Sequence, residues 1–527
     1  MKKRILALLL CVVMIVAFSA GCGKKGGNTS AELKSEFGEG IIEYPLKTDE
    51  SVSVWIWLNS NLLKSCSTRA DALGTKAYEE ASGVKIDWIH PAVGQEDQAF
   101  NLLFSSSDLP DIICNGSWKT FPGGGPDGAI ESGYILDLTD LLPKYAPNYW
   151  AALQADPELA KEARSPKGRY YDVGSLPHTL PVYGMIIRED WLKDLDLEVP
   201  ETISDWYTVL KAFKEEKGAQ SPLAFTGGTF IYKQDVLTSA FDTTSGYYLD
   251  GDKVKFGPMN KGWKDFVKEM AKWYKEGLID VNIASSDHAS FEAQLLNNKT
   301  GATMGYTSSG IGKYMATKAA DSPMVLVAAP YPVMKKGEAP EKYGKKTSKY
   351  SNMSAISATC KNPELALRWL DFAFTERGRL LHAYGVEGTS FEMKNGKPEY
   401  TDTFLKNPDG LSVSEALHYY ASAALGSIGD GEAFRKQLTT QQEVDSTTIW
   451  KVSEKHCIPT LVVDPEDQDE YGDIMVEVDN YVAETTLKII CGQLPLSTLD
   501  NMNKELKKLN IERAIEIQQN AFNAYNK

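Results

Sequence analysis

The sequence predicts an α/β protein, in which short buried strands alternate with helices. The run Ser51–Leu58 is almost wholly apolar, which is typical of a strand buried on both faces. Val84–Trp88 alternates apolar and polar residues, as a strand with one buried face does. Asp111–Cys114 is a third short apolar run, and Gln98–Phe104 before it has a helical pattern. Strand, helix, strand, helix, strand is therefore the predicted order of the first domain.

Later helices are predicted from their first residues and their apolar faces. Thr202–Asp205 matches a capping box, and Asn362 followed by proline matches a helix start. Trp263–Tyr274 carries an aromatic stripe that ends before Gly277, and Ser497–Asp500 opens the first of two C-terminal helices. We expect these aromatic stripes to form core.

Two turn-rich stretches are predicted to be loops. Phe121–Gly128 satisfies G-x-G-x-x-G literally, but two prolines interrupt it and the preceding strand ends several residues earlier. We therefore interpret it as a surface loop and not as a nucleotide site. Lys335–Lys349 is charged and turn-rich, which predicts another loop.

The sequence gives no positive signal for catalysis, a metal or a cofactor. It contains no Walker A motif, no H-E-x-x-H and no G-x-S-x-G, and its 6 histidines are scattered. Asp464–Gly472 is acidic but lacks the calcium-ligand series, so we interpret it as a solvated loop. Paired carboxylates for glycoside cleavage stay open, because their separation is a three-dimensional property.

Charge and cysteine content narrow the function classes. A net charge of −15 argues against nucleic acid and against a polybasic membrane surface. Of the 7 cysteines, Cys11 and Cys22 lie near the N-terminus and the other five are widely spaced. No disulfide framework is needed in a chain of this length, although a single bridge stays open.

The N-terminus has the plan of a secretory signal. Met1–Arg4 is basic, Ile5–Phe18 is apolar and too short to cross a bilayer comfortably, and small residues precede Cys22. This arrangement resembles a bacterial lipobox, although Ser19 stands where leucine is usual. It predicts a signal peptide over 1–21, a lipid on Cys22 and a flexible tether over 22–48. An ordinary signal peptide with an incidental cysteine is the alternative.

Several phrases in order resemble the extracellular solute-binding proteins (family 1) that serve ABC importers, especially the large lipoprotein branch of Gram-positive bacteria. These are "SSSDLPDII" at 105–113, "YGMIIREDWLKDLDLEVPETISDWYTVLKAFKE" at 183–215, "SAISATCKNPELALRWLDFAFTERG" at 354–378 and the tail "GQLPLSTLDNMNKELKKLNIERAIEIQQNAFNAY" at 492–525. The resemblance covers essentially the whole chain after the signal. It implies a lipid-anchored location on the extracellular face of the cell membrane.

The resemblance implies a two-lobed, maltose-binding-like fold (type 2), each lobe a mixed sheet flanked by helices, with extra C-terminal helices. Lobe one would hold 49–180 and a return segment over 330–380, and lobe two would hold 181–329. The C-terminal helical region, 381–527, would pack mostly on lobe two. The chain would cross between the lobes near His178–Tyr183 and near Pro330–Pro332.

The resemblance does not imply a calcium site in this chain. Relatives that bind acidic polysaccharide fragments have a calcium loop shortly after the motif that matches "TISDWYTVLKAFKE". In this chain Glu216–Pro222 follows without the acidic ligand series. We therefore expect no calcium and do not carry over a preference for alginate.

The resemblance implies capture of a carbohydrate, without chemistry, by a monomer that delivers it to ABC permease subunits on separate chains. Sugars stack on aromatic rings, and clefts in α/β proteins lie beyond the carboxyl ends of strands. A secreted lyase or glycosidase and a peptide-binding lipoprotein are the alternatives. Trp118 and Tyr306 are the preferred candidates among the predicted ligand contacts, which are Trp57, Asn59, Asn115, Trp118, Phe225, Phe230, Tyr306, Ser308 and Glu387.

Overall fold

The computed structural model describes residues 35–526 except 106–107, 115–117, 122–123, 177–181, 349 and 422–425. The predicted signal peptide, Cys22 and most of the tether lie outside the described residues. Residues Glu39–Lys527 form one compact unit.

The strands of the described residues are labelled in chain order. They are β1 Ser51–Trp55, β2 Lys85–Ile89, β3 Ile112–Cys114, β4 Val173–Ser175, β5 Tyr183–Arg188, β6 Tyr247–Asp250, β7 Lys253–Phe256, β8 Ala302–Tyr306, β9 Leu326–Ala329, β10 Glu341–Lys345, β11 Ser351–Ile356, β12 Phe391–Lys394, β13 Lys397–Tyr400 and β14 Ser453–Ile458.

The longer helices flank these strands and dominate the C-terminal part. They are Leu73–Ser82, Glu96–Leu103, Pro147–Gln154, Ile203–Glu216, Lys261–Lys275, His288–Leu296, Pro363–Phe372, Glu376–Ala383, Val413–Tyr420, Gln441–Ile449, Gln468–Ile490, Thr498–Lys508 and Ile511–Tyr525.

The first sheet has the order β2-β1-β3-β11-β4. β1 pairs in parallel with both β2 and β3, as the predicted strand–helix alternation requires. β11 runs antiparallel to β3 and β4, so a segment from much later in the chain completes this sheet. The carboxyl ends of β1, β2 and β3 consequently lie along one edge.

The second sheet has the order β8-β5-β9 and is antiparallel throughout. Its core is continuous with the aromatic stripe of Lys261–Lys275 and with the C-terminal helices. Trp450 joins them: its indole N–H is shared between the carbonyl oxygens of Met185, at 3.3 Å, and Ala329, at 3.0 Å. The Trp450 ring can be buried because its indole N–H, the polar group of the side chain, has these acceptors.

Two helix starts that were predicted from a capping side chain are confirmed. The Thr202 hydroxyl accepts a hydrogen bond from the Asp205 N–H, and the Asp205 carboxylate accepts one from the Thr202 N–H. Asn362 accepts from the N–H of Leu365 at the start of Pro363–Phe372. Gly277, with φ of 69°, follows Lys261–Lys275 as predicted.

Three loop predictions are wrong in part. Gly125–Glu131 is a short helix with Gly125–Ala129 buried, since the buried Asp127 carboxylate accepts hydrogen bonds from the Ser165 hydroxyl and the Lys167 N–H. The segment 335–349 contains β10, which pairs with β14, a strand more than 100 residues later. In the acidic stretch 464–472, the long helix already begins at Gln468.

Helices of the C-terminal part pack against helices that flank each of the two sheets. Glu376–Ala383 and Val413–Tyr420 pack against Leu73–Ser82, which lies between β1 and β2 in the chain, while Gln468–Ile490 packs against Lys261–Lys275. The lobe boundaries stay predictions. Of the two predicted crossings, 177–181 lies outside the described residues and Pro330–Pro332 directly follows β9.

Two further observations concern anchoring and cross-links. Within the described ranges, no helix combines the length and the apolar character needed to cross a membrane. The five described cysteines are free thiols.

Candidate functional site

A cavity of about 590 Å³ opens at the carboxyl end of β1. We call it the aromatic cavity, and its wall includes Trp55, Trp57, Asn59, Glu96, Asp97 and Phe100. β1 ends at Trp55 and the segment that follows supplies Trp57 and Asn59, while the helix Glu96–Leu103 supplies the acids and the phenylalanine. The cavity therefore lies at the sheet edge where the sequence predicts a ligand.

The aromatic cavity combines ring surface with hydrogen-bonding groups. Trp55 and Phe100 are buried with ring centroids 6.1 Å apart, and Trp57 is half-buried. The side-chain oxygen of Asn59 accepts a hydrogen bond from the Asn61 N–H at 2.8 Å, which holds its amide in place. The hydrogen bond from the Gly94 N–H, at 2.8 Å, lowers the pKa of Glu96, so this carboxylate is an acceptor at neutral pH.

A second cavity, of about 420 Å³, has walls from distant parts of the chain. We call it the lysine cavity, because Lys119, Lys233 and Lys345 line it. Lys119 lies a few residues beyond the carboxyl end of β3, the strand that pairs with β1. Asp235, Asp479 and Thr460 also line this cavity, so the segment before β6 and the C-terminal region both contribute to its wall.

Trp57 and Asn59 lie on the wall of the aromatic cavity, whereas the structure does not bring Trp118 to it. Trp118 is fully buried, and its ring lies 5.3 Å from Phe100 and 5.9 Å from Phe121 between centroids. Phe104 packs edge-on against it at 5.8 Å. Its ring is covered by side chains and offers no surface to a ligand.

The candidates on the second sheet's side differ in exposure. Phe225 is buried in the core and Phe230 is half-buried. Tyr306 is 48% exposed and stands edge-on to Tyr183 at 4.7 Å between ring centroids. The Ser308 hydroxyl oxygen is buried without a hydrogen-bond partner in the described part of the chain, within the π-helical turn Thr307–Gly312, a rare geometry that is frequent at functional sites.

The two remaining candidates are not placed in either cavity. Glu387 is exposed and forms an isolated bridge with Phe391. Asn115 lies outside the described residues.

Sequence reasoning missed the acids of the aromatic cavity and all of the lysine cavity. Glu96 and Asp97 begin a helix, where acidic residues are common for dipole reasons alone, so their pattern carried no functional signal. Lys345 lies on β10, a strand that the turn-rich sequence did not predict.

A buried acid behind the lysine cavity predicts a pH dependence of stability. Asp172 is 1% exposed and accepts a hydrogen bond from the Tyr350 hydroxyl. Burial raises the pKa of Asp172 to about 7, although Lys119 opposes this. Between about pH 4 and about pH 7 the Asp172 carboxyl is therefore protonated in the folded state and ionised in the unfolded state. Since the folded state binds more protons in this window, the free energy of unfolding falls as pH rises through it.

Asp172→Asn keeps a hydrogen-bond acceptor and removes this titration. We expect the variant to gain stability relative to wild type between about pH 5 and about pH 8, measured by urea denaturation at both. The exposed Asp252→Asn is the matched control and should show no such gain. An Asp172→Asn difference that is the same at both pH values would contradict the assignment.

A calcium response is not expected. The helix Ile203–Glu216 is followed by a short connection that contains one lysine, Lys217, which pairs with Asp194 at 2.6 Å. Within the described residues, no group of three or more His, Cys, Asp or Glu side chains could hold a metal ion. Because the acidic ligand series is missing after the helix Ile203–Glu216 in the sequence, we expect calcium and a chelator to give the same melting temperature; a rise that saturates with calcium would contradict this prediction.

Comparisons with known proteins agree with this architecture. The chain is 23% identical to the fructooligosaccharide ABC transporter substrate-binding protein FusA of Streptococcus pneumoniae, over 97% of this chain and 96% of that protein. It is 26% identical to the lipoprotein LipO of Bacillus subtilis, over 96% of each.

Solved structures support the fold. The alginate-binding protein AlgQ2 without calcium ion superposes with a TM-score of 0.75 at 24% identity, covering 90% of this chain and 99% of that one. FusA of Streptococcus pneumoniae in complex with kestose gives 0.74 at 21% identity, with the same coverage. The α/β fold with helix-flanked sheets is confirmed. The family model described as "Bacterial extracellular solute-binding protein" matches residues 64–379, more than half of the chain. The protein belongs to the bacterial extracellular solute-binding family.

Proposed function

We propose that this protein captures a carbohydrate, an oligosaccharide, outside the cell and delivers it to an ABC permease on separate chains. The aromatic cavity carries the proposal, because it places the partly exposed Trp57 ring beside Asn59, Glu96 and Asp97. The relatives support it: FusA is named for fructooligosaccharide and was solved with kestose.

The chemistry of the aromatic cavity suits a sugar. The C–H face of a pyranose or furanose ring is apolar and can lie on the indole of Trp57, while its hydroxyl groups donate to the carboxylates of Glu96 and Asp97. The Asn59 amide adds a further polar contact. Apolar walls with a few placed polar groups are typical of small-molecule sites.

The mechanism is binding without bond cleavage. A ligand that contacts the first sheet's edge and the Tyr306–Ser308 turn of the second sheet favours the arrangement in which both contact it at once. A lyase or glycosidase on a chain of this size is the competing function, and a peptide binder is the other.

A thermal-shift screen over oligosaccharides and peptides, followed by analysis of the recovered ligand, separates these functions. We expect saturable stabilisation by at least one oligosaccharide, which is recovered intact after prolonged incubation. A cleaved product that disappears in Glu96→Gln or Asp97→Asn would identify an enzyme. Stabilisation by peptides alone would identify a peptide binder.

The location of the protein gives a separate prediction. If Cys22 carries a lipid, Cys22→Ser should move the protein from the membrane fraction to the medium, and mass spectrometry of the wild type should find a modified N-terminal cysteine. Cys491→Ser, a half-buried cysteine, is the matched control and should stay in the membrane fraction. An unmodified N-terminus downstream of Cys22 would refute the anchor and leave the binding function intact.

A further inference from the structure

Three lysines of the lysine cavity have no carboxylate partner. Among the described residues, no Asp or Glu oxygen lies within the 4.0 Å ion-pair distance of the amino groups of Lys119, Lys233 or Lys345. Among the described residues, the Lys119 amino group donates a hydrogen bond to the backbone carbonyl of Glu162, at 3.4 Å. The cavity wall therefore holds cations that protein anions do not neutralise directly.

The positive charge of Lys345 disfavours the charged form of Lys119. Burial lowers the pKa of Lys119 and the positive charge of Lys345 lowers it further, while the nearby Asp172 and Glu162 act in the opposite direction. Burial likewise lowers the pKa of Lys345. An anion that contacts both ammonium groups would stabilise their charged forms.

The two acids that line the same cavity, Asp235 and Asp479, do not neutralise these lysines by direct ion pairs. The Asp235 carboxylate is hydrogen-bonded to neighbouring residues: its Oδ1 accepts from the Thr244 hydroxyl at 2.7 Å and from the Ser245 N–H at 3.1 Å. Burial raises the pKa of Asp479, and Lys233 partly offsets this at a distance beyond ion-pair range. The negative charge in the wall is thus partly engaged or suppressed.

A neutral donor in the wall has no partner. Thr460 is 7% exposed and lines the lysine cavity, yet its hydroxyl has no hydrogen-bond partner in the described part of the chain. A hydroxyl that is more than nine-tenths buried is costly to leave unpaired. Rotation about the Thr460 Cα–Cβ bond is needed to bring this buried hydroxyl to a ligand oxygen in the cavity.

We infer that the lysine cavity binds an anionic group, a carboxylate or a sulfate, carried by the bound saccharide, with Lys119 and Lys345 as its charge partners and Thr460 as a neutral donor. This inference rests on the proposed carbohydrate-binding function and adds a charge preference to it. β1 and β3 are adjacent in the first sheet, and Trp57 of the aromatic cavity follows β1 while Lys119 of the lysine cavity follows β3. The net charge of −15 repels anions at long range, so the preference arises from these local groups.

The test compares ligands that differ only in charge. Trigalacturonate is paired with its methyl ester, and a sulfated trisaccharide with its unsulfated parent, each titrated calorimetrically at low and high salt. We expect at least one acid to bind about tenfold more tightly than its neutral partner, with a preference that shrinks at high salt. Which pair shows it identifies carboxylate or sulfate.

The variant Lys119→Met/Lys345→Met should abolish this preference, so that the acid and its neutral partner bind with equal affinity. Lys346→Met is the matched control, because this exposed lysine does not line the cavity, and it should keep the preference. Thr460→Val, which preserves the side-chain shape, should reduce the preference and tests the site without removing a charge.

Equal binding of acid and neutral partner by the wild type, or a preference that survives in Lys119→Met/Lys345→Met, would overturn the inference. If neutral oligosaccharides bind in either case, the proposed function stands. If no saccharide of any charge binds to the folded wild type, the proposed function itself fails, so the two failures are distinguishable.

Discussion

Trp118→Ala is expected to lower the free energy of unfolding by about 3–5 kcal/mol, the range for a fully buried tryptophan. The ring is 0% exposed and fills the space between Phe100, Phe104 and Phe121. Its removal leaves a cavity that Phe121 and the two phenylalanines of the helix Glu96–Leu103 and its C-cap cannot close by small shifts.

Denaturant unfolding of Trp118→Ala checks this value, with Trp150→Ala as the matched control. Trp150 is half-buried and packs mainly against Tyr170 at 5.1 Å between ring centroids, so its loss should cost less. Where Trp118→Ala is still folded, it should bind saccharide. Wild-type stability together with lost binding would instead place the Trp118 ring against the ligand.

Trp57→Ala is expected to weaken saccharide binding about tenfold or more, because a sugar face that covers roughly 60 Å² of indole contributes about 1.5 kcal/mol. The ring is half-buried on the wall of the aromatic cavity, so its removal should cost far less stability than that of Trp118. Calorimetric titration of the best ligand from the screen measures the change.

Trp57→Phe should recover part of the affinity, since a smaller ring still offers an apolar face. Trp150→Ala again serves as the control and should bind as wild type does, because Trp150 does not line either cavity. Unchanged affinity in Trp57→Ala would show that the sugar binds elsewhere.

Much of the fold could be predicted because its signals are local. The capping box at Thr202 and the Asn362 cap are set by side chains three residues apart from their partners, and both are present. The parallel pairing of β1, β2 and β3 follows from short strands separated by helices. These features need no knowledge of distant contacts.

The ligand site stays a prediction: the sequence indicated the sheet edge where the aromatic cavity lies, but not which side chains line that cavity. Trp57 and Trp118 both follow strands of the first sheet, yet one lines a cavity and the other is core. The difference depends on Phe100, Phe104 and Phe121, whose packing around one tryptophan is a tertiary property. Strand ends predict where a side chain lies, and the surrounding elements decide whether it is covered.

Segments rich in glycine and charge were misread for the same reason. The Phe121–Gly128 stretch has the composition of a loop, but the buried Asp127 carboxylate ties it to Ser165 and Lys167. Lys345 reaches the lysine cavity from a strand whose partner, β14, is distant in sequence. Composition describes neither of these long-range partners.

The most direct test of the central claim is a crystal structure of the mature chain with the tightest-binding oligosaccharide from the screen. We expect a sugar ring stacked on Trp57 in the aromatic cavity, with its hydroxyl groups within hydrogen-bond distance of Asn59, Glu96 or Asp97. A saccharide bound at the opposite end of β1, beside Glu50 and Asp111 in the cavity of about 390 Å³ there, would contradict it.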